Sequence, residues 1–511
     1  MNSLSIKQGI LYSVGASLLI GPGFVFALDW TVQPSIDVEQ TFSDNVNLTA
    51  QNRQKASITQ VNPGISVRAN STINTFDLNY RMQNLFNNTA TESDADINNQ
   101  LQMDSSYQFV ADKLYIETSS SISQQNTSNR RIASDNISSN DNSSATVYTL
   151  QTSPYWKAHF NSFADAEFRA TYDFVGTKSS ESLLSKTHSV SENISLTSGS
   201  DFKRISWSAS VNNSHRFNSE SETIRFQDSQ GELRYAIGQE FNVFAQVGHS
   251  SNSFNSNSDS NKNGVSYTFG GQWKPSQRFS LEAGYGNNYF VTVDLMPFNR
   301  LHWITTYTNN DIGLNRGGTW NTDLNYTTRR TTWTLSYTED TLTTQQLLLE
   351  QDIFNVTDAF GDVETNILLE QSQQNNIRLP SLTDEVFISK TIEIQGAFRS
   401  GKSELSANMY HTFRLFEVSG NKEALMGLSG SWNWKFYDRM NSIVQSGWQK
   451  TESKGANAFV DNRVDASVAI TRNISSRLTG KIEYRFIKQV SSDILNNYDE
   501  NRISANLTLK F

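Results

Sequence analysis

The chain has 511 residues, a formal net charge of −9, no cysteine and only 7 prolines. Aromatics reach 11 % and charged residues only 18 %, the reverse of a disordered chain, while Ser, Thr, Asn and Gln take the place of the apolar residues that a large dry core would need. Without cysteine there are no disulfides, thiolate metal sites or cysteine nucleophiles, and the mild acidity argues against a nucleic-acid partner.

Residues 1–27 read as a secretory signal peptide. Lys7 is the only charge before Asp29, an apolar run extends from Gly9 to Phe26, and Val25 and Ala27 form a small-residue cleavage site. The run is broken by Gly21-Pro22-Gly23, which makes it a poor span of the roughly 20 apolar residues a membrane helix needs. Cleavage is expected near Ala27, leaving residues 28–511 as one domain.

From residue 30 onward the pattern alternates with period two. Trp30, Val32, Ile36 and Val38 oppose Asp37 and Glu39; Phe168, Ala170, Tyr172 and Phe174 oppose Glu167, Arg169 and Asp173. Ile503, Ala505, Leu507, Leu509 and Phe511 close the chain opposite Arg502, Ser504, Asn506, Thr508 and Lys510. Such alternation marks strands with one apolar and one polar face. In chain order the segments are 30–42, 57–69, 73–86, 98–110, 113–123, 145–157, 163–175, 187–199, 203–216, 222–237, 240–250, 264–274 and 278–290. They continue with 319–328, 331–339, 384–399, 404–416, 424–436, 439–449, 460–472, 476–487 and 499–511.

These segments are longer than the globular mean of about 5–6 residues and suit tilted membrane strands of about 9–11. Their connections alternate between short and long. Trp30, Tyr155, Trp156, Trp273, Trp320, Trp333, Trp432, Trp434 and Trp448 lie near segment ends, as an aromatic girdle would. The expected fold is all-β: a transmembrane, antiparallel, up-and-down outer-membrane barrel of about 22 strands, within a range of 18–24. Residues 291–318 are assigned to an outer loop; folded as a hairpin they would raise the count to 24. The first strand begins close behind the cleavage site, so no N-terminal plug domain is expected.

The location implied is the outer membrane of a Gram-negative bacterium. The implied partners are outer-membrane lipid, lipopolysaccharide and the barrel assembly machinery. Phe511, an aromatic ending the last apolar face, is the candidate assembly signal. Strand parity points Asp77, Arg81, Asp165, Glu167, Arg169, Arg399, Lys481, Glu483 and Arg485 into the lumen.

One long connection, 339–384, is acidic. It carries Glu350, Asp352, Asp358, Asp362, Glu364 and Glu370 around the leucines 347–349. Loops of this length are seldom structureless unless functional. Two readings stay open: a solvated outer loop whose carboxylates hold divalent cations against lipopolysaccharide, or an infolded constriction whose leucines find cover in the lumen. Catalytic signatures are lacking. The six histidines are scattered, and there is no HExxH, GxSxG or phosphate loop, so no enzyme, metal or cofactor is expected.

The stretches PSIDVEQTFSDNVNL (34–48), ITQVNPGISV (58–67), GGQWKPSQRFSLEAGYG (270–286), RRTTWTLSYTEDTLTT (329–344) and TDEVFISKTIEI (383–394) resemble the outer-membrane barrel family associated with PEP-CTERM/exosortase systems. The resemblance covers about residues 30–511 and departs at 291–318. It implies an envelope role linked to exopolysaccharide, as a conduit or accessory for a hydrated polymer working with exopolysaccharide export components. The alternatives are a general diffusion porin and, behind it, a barrel enzyme.

Overall fold

The computed structural model describes residues 29–89, 93–127, 144–178, 184, 186–219, 222–350, 379–455 and 458–511. The described residues form 24 strands. The first twelve are β1 (Asp29–Ser43), β2 (Ala56–Asn70), β3 (Thr75–Thr89), β4 (Ser93–Val110), β5 (Leu114–Asn126), β6 (Ser144–Phe160), β7 (Ala164–Lys178), β8 (Thr187–Ser198), β9 (Ile205–Asn218), β10 (Ile224–Ala236), β11 (Phe241–Ser250) and β12 (Gly264–Ser276). The second twelve are β13 (Phe279–Gly286), β14 (Asn288–Phe298), β15 (Leu301–Asn310), β16 (Gly317–Thr327), β17 (Thr331–Thr343), β18 (Val386–Arg399), β19 (Ser403–Phe416), β20 (Lys422–Tyr437), β21 (Met440–Lys454), β22 (Phe459–Asn473), β23 (Leu478–Ser491) and β24 (Tyr498–Lys510). Among the described residues one α-helix, α1 (Thr344–Leu349), follows β17, and a 3-10 turn (Ile494–Asn496) precedes β24.

Each strand pairs antiparallel with its sequence neighbours, and β1 pairs with β24 from Ser35↔Lys510 to Ser43↔Arg502. Closure matters physically. In hydrocarbon an open edge would leave a row of unpaired N–H and C=O groups, and only a closed ladder satisfies them all. Both chain ends of the barrel lie at the end carrying the short turns, and the long connections lie at the other, the arrangement of an outer-membrane barrel with a periplasmic and an outer end.

The two faces separate by residue type. Trp30, Val32, Phe168, Val211, Leu233, Val247, Val468, Ile482 and Leu507 are exposed on the outside, forming an apolar belt that only lipid would cover. Trp156, Trp273, Trp320, Trp333, Trp432 and Trp434 belong to it. Tyr155 does not. It points inward, is buried, and stacks on Tyr115 with ring centroids 4.8 Å apart, so its place in the girdle is corrected.

The strand count of 22 is corrected to 24, because residues placed in an outer loop at 291–318 form wall strands β14 and β15. The sequence hid them because only Asn287 separates β13 from β14, too little for a turn signal. Asn287 supplies what the turn lacks: its side chain accepts from the Tyr267 N–H at 2.7 Å and donates to the Val265 carbonyl at 2.8 Å. Glycines make room beside it. A Cβ on Gly270 would lie 2.2 Å from the Ala283 carbonyl oxygen and 2.4 Å from the Phe244 ring, and one on Gly284 would lie 2.9 Å from the Phe290 ring. Phe244 and Phe290 fill that space, their centroids 5.8 Å apart. Where the chain begins does not decide whether a plug is present, so the plug-free expectation does not stand.

The hairpin β13–β14 is short, so the wall is low there. The gap is closed from above by Lys262 and Gly313, which exchange two backbone hydrogen bonds of 3.1 and 2.8 Å. Lys262 also donates to Asp311 at 2.8 Å, and Arg316 reaches Asp311 at 3.3 Å and pairs with Asp259. The hydrogen bond from Lys262, then the charges of Lys262 and Arg316, hold the Asp311 carboxyl below the usual carboxylate range.

Candidate functional site: the lumen and its outer mouth

The inward residues of neighbouring strands meet in rows, because the antiparallel register sets like-facing positions side by side. On β5–β7 the row holds Tyr115, Glu117, Tyr155, Lys157, His159, Asp165, Glu167 and Arg169. Arg169 donates to Glu117 at 2.6 Å, lies 3.5 Å from Glu167, and stacks its guanidinium 3.9 Å from the Tyr155 centroid. Lys157 stands 4.0 Å from Glu167, and Asp165 pairs with His159. The structure thus gathers Asp165, Glu167 and Arg169 into one cluster. Glu117, Lys157 and the tyrosine stack were missed by sequence reasoning, although their shared parity in two adjacent segments was a usable signal.

The other lumen candidates stand apart. Arg68 lies 3.1 Å from Asp77, and Arg81 donates twice to Gln100, at 2.9 and 2.6 Å. Asp77, Arg68, Asp104 and Glu117 line a cavity of about 590 Å³ at the periplasmic end. Arg399 pairs with Glu404 at 2.6 Å, and Lys481 with Glu483 at 2.7 Å. Arg485 stands opposite Arg502 in the ladder, and Arg502 is held by Glu500 at 3.0 Å. On β10–β13, Arg234 bridges Glu232 at 2.8 Å and Glu282 at 3.0 Å. The inward charges are largely spent on each other, which limits their desolvation cost. Among the described residues no group of three or more His, Asp or Glu converges as a metal site.

At the outer end the walls are bridged. Helix α1 begins at a capping box, Thr343 and Gln346 bonding each other's backbone N–H. Leu348 is buried with Leu379 and Leu382 against Ala145, Val147, Val175 and Leu184, with Leu347 and Leu349 packed at the edge. Ala145, Val147 and Val175 are inward positions of β6 and β7, so the described ends of the acidic loop lie inside the mouth. Gln345 donates to Asp384 at 2.8 Å and to Thr187 of β8 at 3.4 Å. Arg216 of β9 donates to Thr343. A second connection, between β11 and β12, crosses to the β19–β20 turn. There Ser258 donates to Glu417 at 2.6 Å and the Asn257 N–H to the Glu417 carbonyl at 2.8 Å.

Glu350 sits exposed at the C-terminal end of α1. Asp352, Asp358, Asp362, Glu364 and Glu370 lie outside the described residues. Phe511 follows β24, two-thirds exposed, its N–H bonded to the Pro34 carbonyl at 3.0 Å.

No protein-family model matches the sequence, and no curated protein does. Solved structures are similar to it in architecture. The siderophore receptor PirA from Pseudomonas aeruginosa shares 10 % identity at a TM-score of 0.40, with 94 % of this chain and 80 % of that one covered. A mutant ferric enterobactin receptor (PfeA) from Pseudomonas aeruginosa, in complex with enterobactin, gives 9 %, 0.45, 94 % and 81 %. The iron transporter FrpB from Neisseria meningitidis (F5-1 variant, apoprotein) gives 10 %, 0.43, 94 % and 81 %. These are siderophore and enterobactin receptors and an iron transporter, none of them an exopolysaccharide protein, so the expected exopolysaccharide role finds no support among them. Identity this low assigns no substrate. The chain is a β-barrel of the outer-membrane kind, with a lipid-facing apolar belt.

Proposed function

We propose that this chain is a selective uptake barrel of the Gram-negative outer membrane, admitting small, hydrated polar solutes through a lumen whose mouth its own loops narrow. The observation that carries the reading is the contrast between the two faces of one closed wall: apolar belt outside, amides, hydroxyls and mutually paired charges inside. Pairing keeps the wall hydrated without making it a strong trap for either sign of charge, and the α1 segment packs against the inward faces of β6 and β7 at the mouth. Residues 1–27 serve as the cleaved signal peptide, and lipid, lipopolysaccharide and the assembly machinery are the partners the location supplies. Kinship with the exosortase-associated barrels is part of the proposal as descent, without an activity attached.

The test is passage. Mature protein refolded in detergent and reconstituted into liposomes is expected to admit glycine and small neutral solutes, with exclusion of larger ones. A variant lacking residues 344–384 is expected to raise the size limit. A folded, heat-modifiable barrel that passes no small polar solute in either form overturns the reading.

A further inference from the structure

Below the β11–β12 crossing, on the inward faces of β8–β11, lies a second cavity of about 440 Å³. That is within the range of about 300–1,000 Å³ that houses small molecules. Its chemistry differs from that of the periplasmic cavity. Asn193, Asn212, Gln230, Ser214, Asp228 and Phe226 form the floor, and its lining includes no Lys or Arg. Glu192 borders it but has outward parity, with Asn213 donating to it at 3.3 Å.

The roof is spent on itself. Asn252 donates to Ser250 at 3.0 Å and to Asn261 at 3.1 Å, and Asn288 donates to the Ile312 carbonyl at 2.9 Å. The floor is not. Asn193 donates one hydrogen bond to the Asn212 carbonyl oxygen, and each of the two amides has further hydrogen-bonding capacity beyond that bond. Asn193, Asn212, Gln230 and Asp228 are all exposed to the lumen. Phe226 adds an apolar surface on the same inward face, packed against Phe254 at 5.6 Å.

We propose that this cavity binds a short neutral saccharide or related polyol. A hydroxyl donates and accepts at once, so a run of hydroxyls is matched by side-chain amides that offer both a carbonyl and an NH₂, and by a carboxylate that accepts. The C–H face of a sugar ring needs an apolar patch, which Phe226 supplies. An anion finds no cationic partner in the lining. The inference rests on the uptake reading above and names its substrate class.

The probe is maltotriose, observed by saturation-transfer NMR on refolded protein in detergent. Transfer is expected with the unaltered protein. Asn212→Leu and Asp228→Leu are each expected to weaken it about fivefold to tenfold, while Asp77→Asn, in the periplasmic cavity, leaves it unchanged; heat-modifiability shows each variant folded. Absence of transfer, or transfer unchanged in both floor variants, overturns the inference. Stronger retention of spermidine than of maltotriose overturns it too, in favour of a cation. Liposome passage of glycine is measured on the same preparations: passage without binding sinks this inference alone, and binding without passage sinks the uptake reading alone.

Discussion

Arg216 of β9 donates a hydrogen bond to the Thr343 hydroxyl at the end of β17, joining strands eight places apart in the wall. Two ordinary side chains cannot cross an open cylinder of 24 strands, so the mouth is narrowed along this line. Arg216 is buried, and the charges facing it are those of Asp173 and Asp384. The guanidinium therefore joins β9 to β17, with the charges of Asp173 on β7 and of Asp384 at the returning end of the acidic loop acting on it. Removing one partner of a buried charged set costs about 3–5 kcal/mol, and here the loss falls on a loop rather than on the hydrogen-bonded wall. Arg216→Ala should leave the barrel heat-modifiable while increasing single-channel conductance and protease cleavage between residues 344 and 384. Unaltered conductance and cleavage would show that the contact does not hold the mouth.

The hairpin β13–β14 is held by absent side chains. Gly270 faces the Ala283 carbonyl and the edge of Phe244, and the first of these is backbone that cannot rotate away. Gly270→Ala should destabilise the refolded barrel by about 1–3 kcal/mol, the usual cost of overpacking, read as a lower urea midpoint. Phe244→Ala in the same background should recover little, because the carbonyl contact remains. Full recovery would place the strain on the ring instead.

How much of this was legible follows from what alternation can encode. Period two separates the faces, so Asp77, Arg169 and Glu483 could be turned inward from the sequence alone. It cannot say which inward residues meet, since that depends on register between strands. Arg169 finds Glu117 across β6, 52 positions back. Nor can it separate β13 from β14 when only Asn287 intervenes. A tyrosine near a strand end suits a girdle as well as a lumen, and only its pairing with Tyr115 places Tyr155 inside. Leu347–Leu349 announced a need for cover, but the cover comes from Val147 and Val175, far away in sequence.

The closure above the β13–β14 gap should depend on pH. Asp311 is held below the usual carboxylate range by Lys262 and Arg316. A depressed carboxyl contributes to the folded form at pH above its unfolded value, about 3.9, and that contribution is lost as pH falls through the lower folded value. Amide exchange at Gly313, whose N–H is bonded to the Lys262 carbonyl, should therefore lose protection below about pH 4 after correction for intrinsic rates. Asp311→Asn should show the weaker protection at every pH. Protection that is flat with pH in the unaltered protein would remove Asp311 from the closure.

Phe511 separates assembly from stability. Its ring is two-thirds exposed beyond the end of β24, in line with the outward series Ile503, Leu507 and Leu509. The one bond seen at this residue is its backbone N–H to the Pro34 carbonyl at 3.0 Å, which any residue but proline can make. Phe511→Ser should therefore leave the urea midpoint of protein refolded in detergent within about 0.5 kcal/mol of the parent, as for an exposed substitution away from packing. The same change in cells should lower the amount of protein in the outer membrane and raise periplasmic degradation. Phe511→Tyr, which keeps an aromatic end, should restore the level. A fall in both the midpoint and the cellular level would mean that the ring holds the finished barrel together; unchanged cellular abundance would mean that the terminal aromatic is not read during assembly.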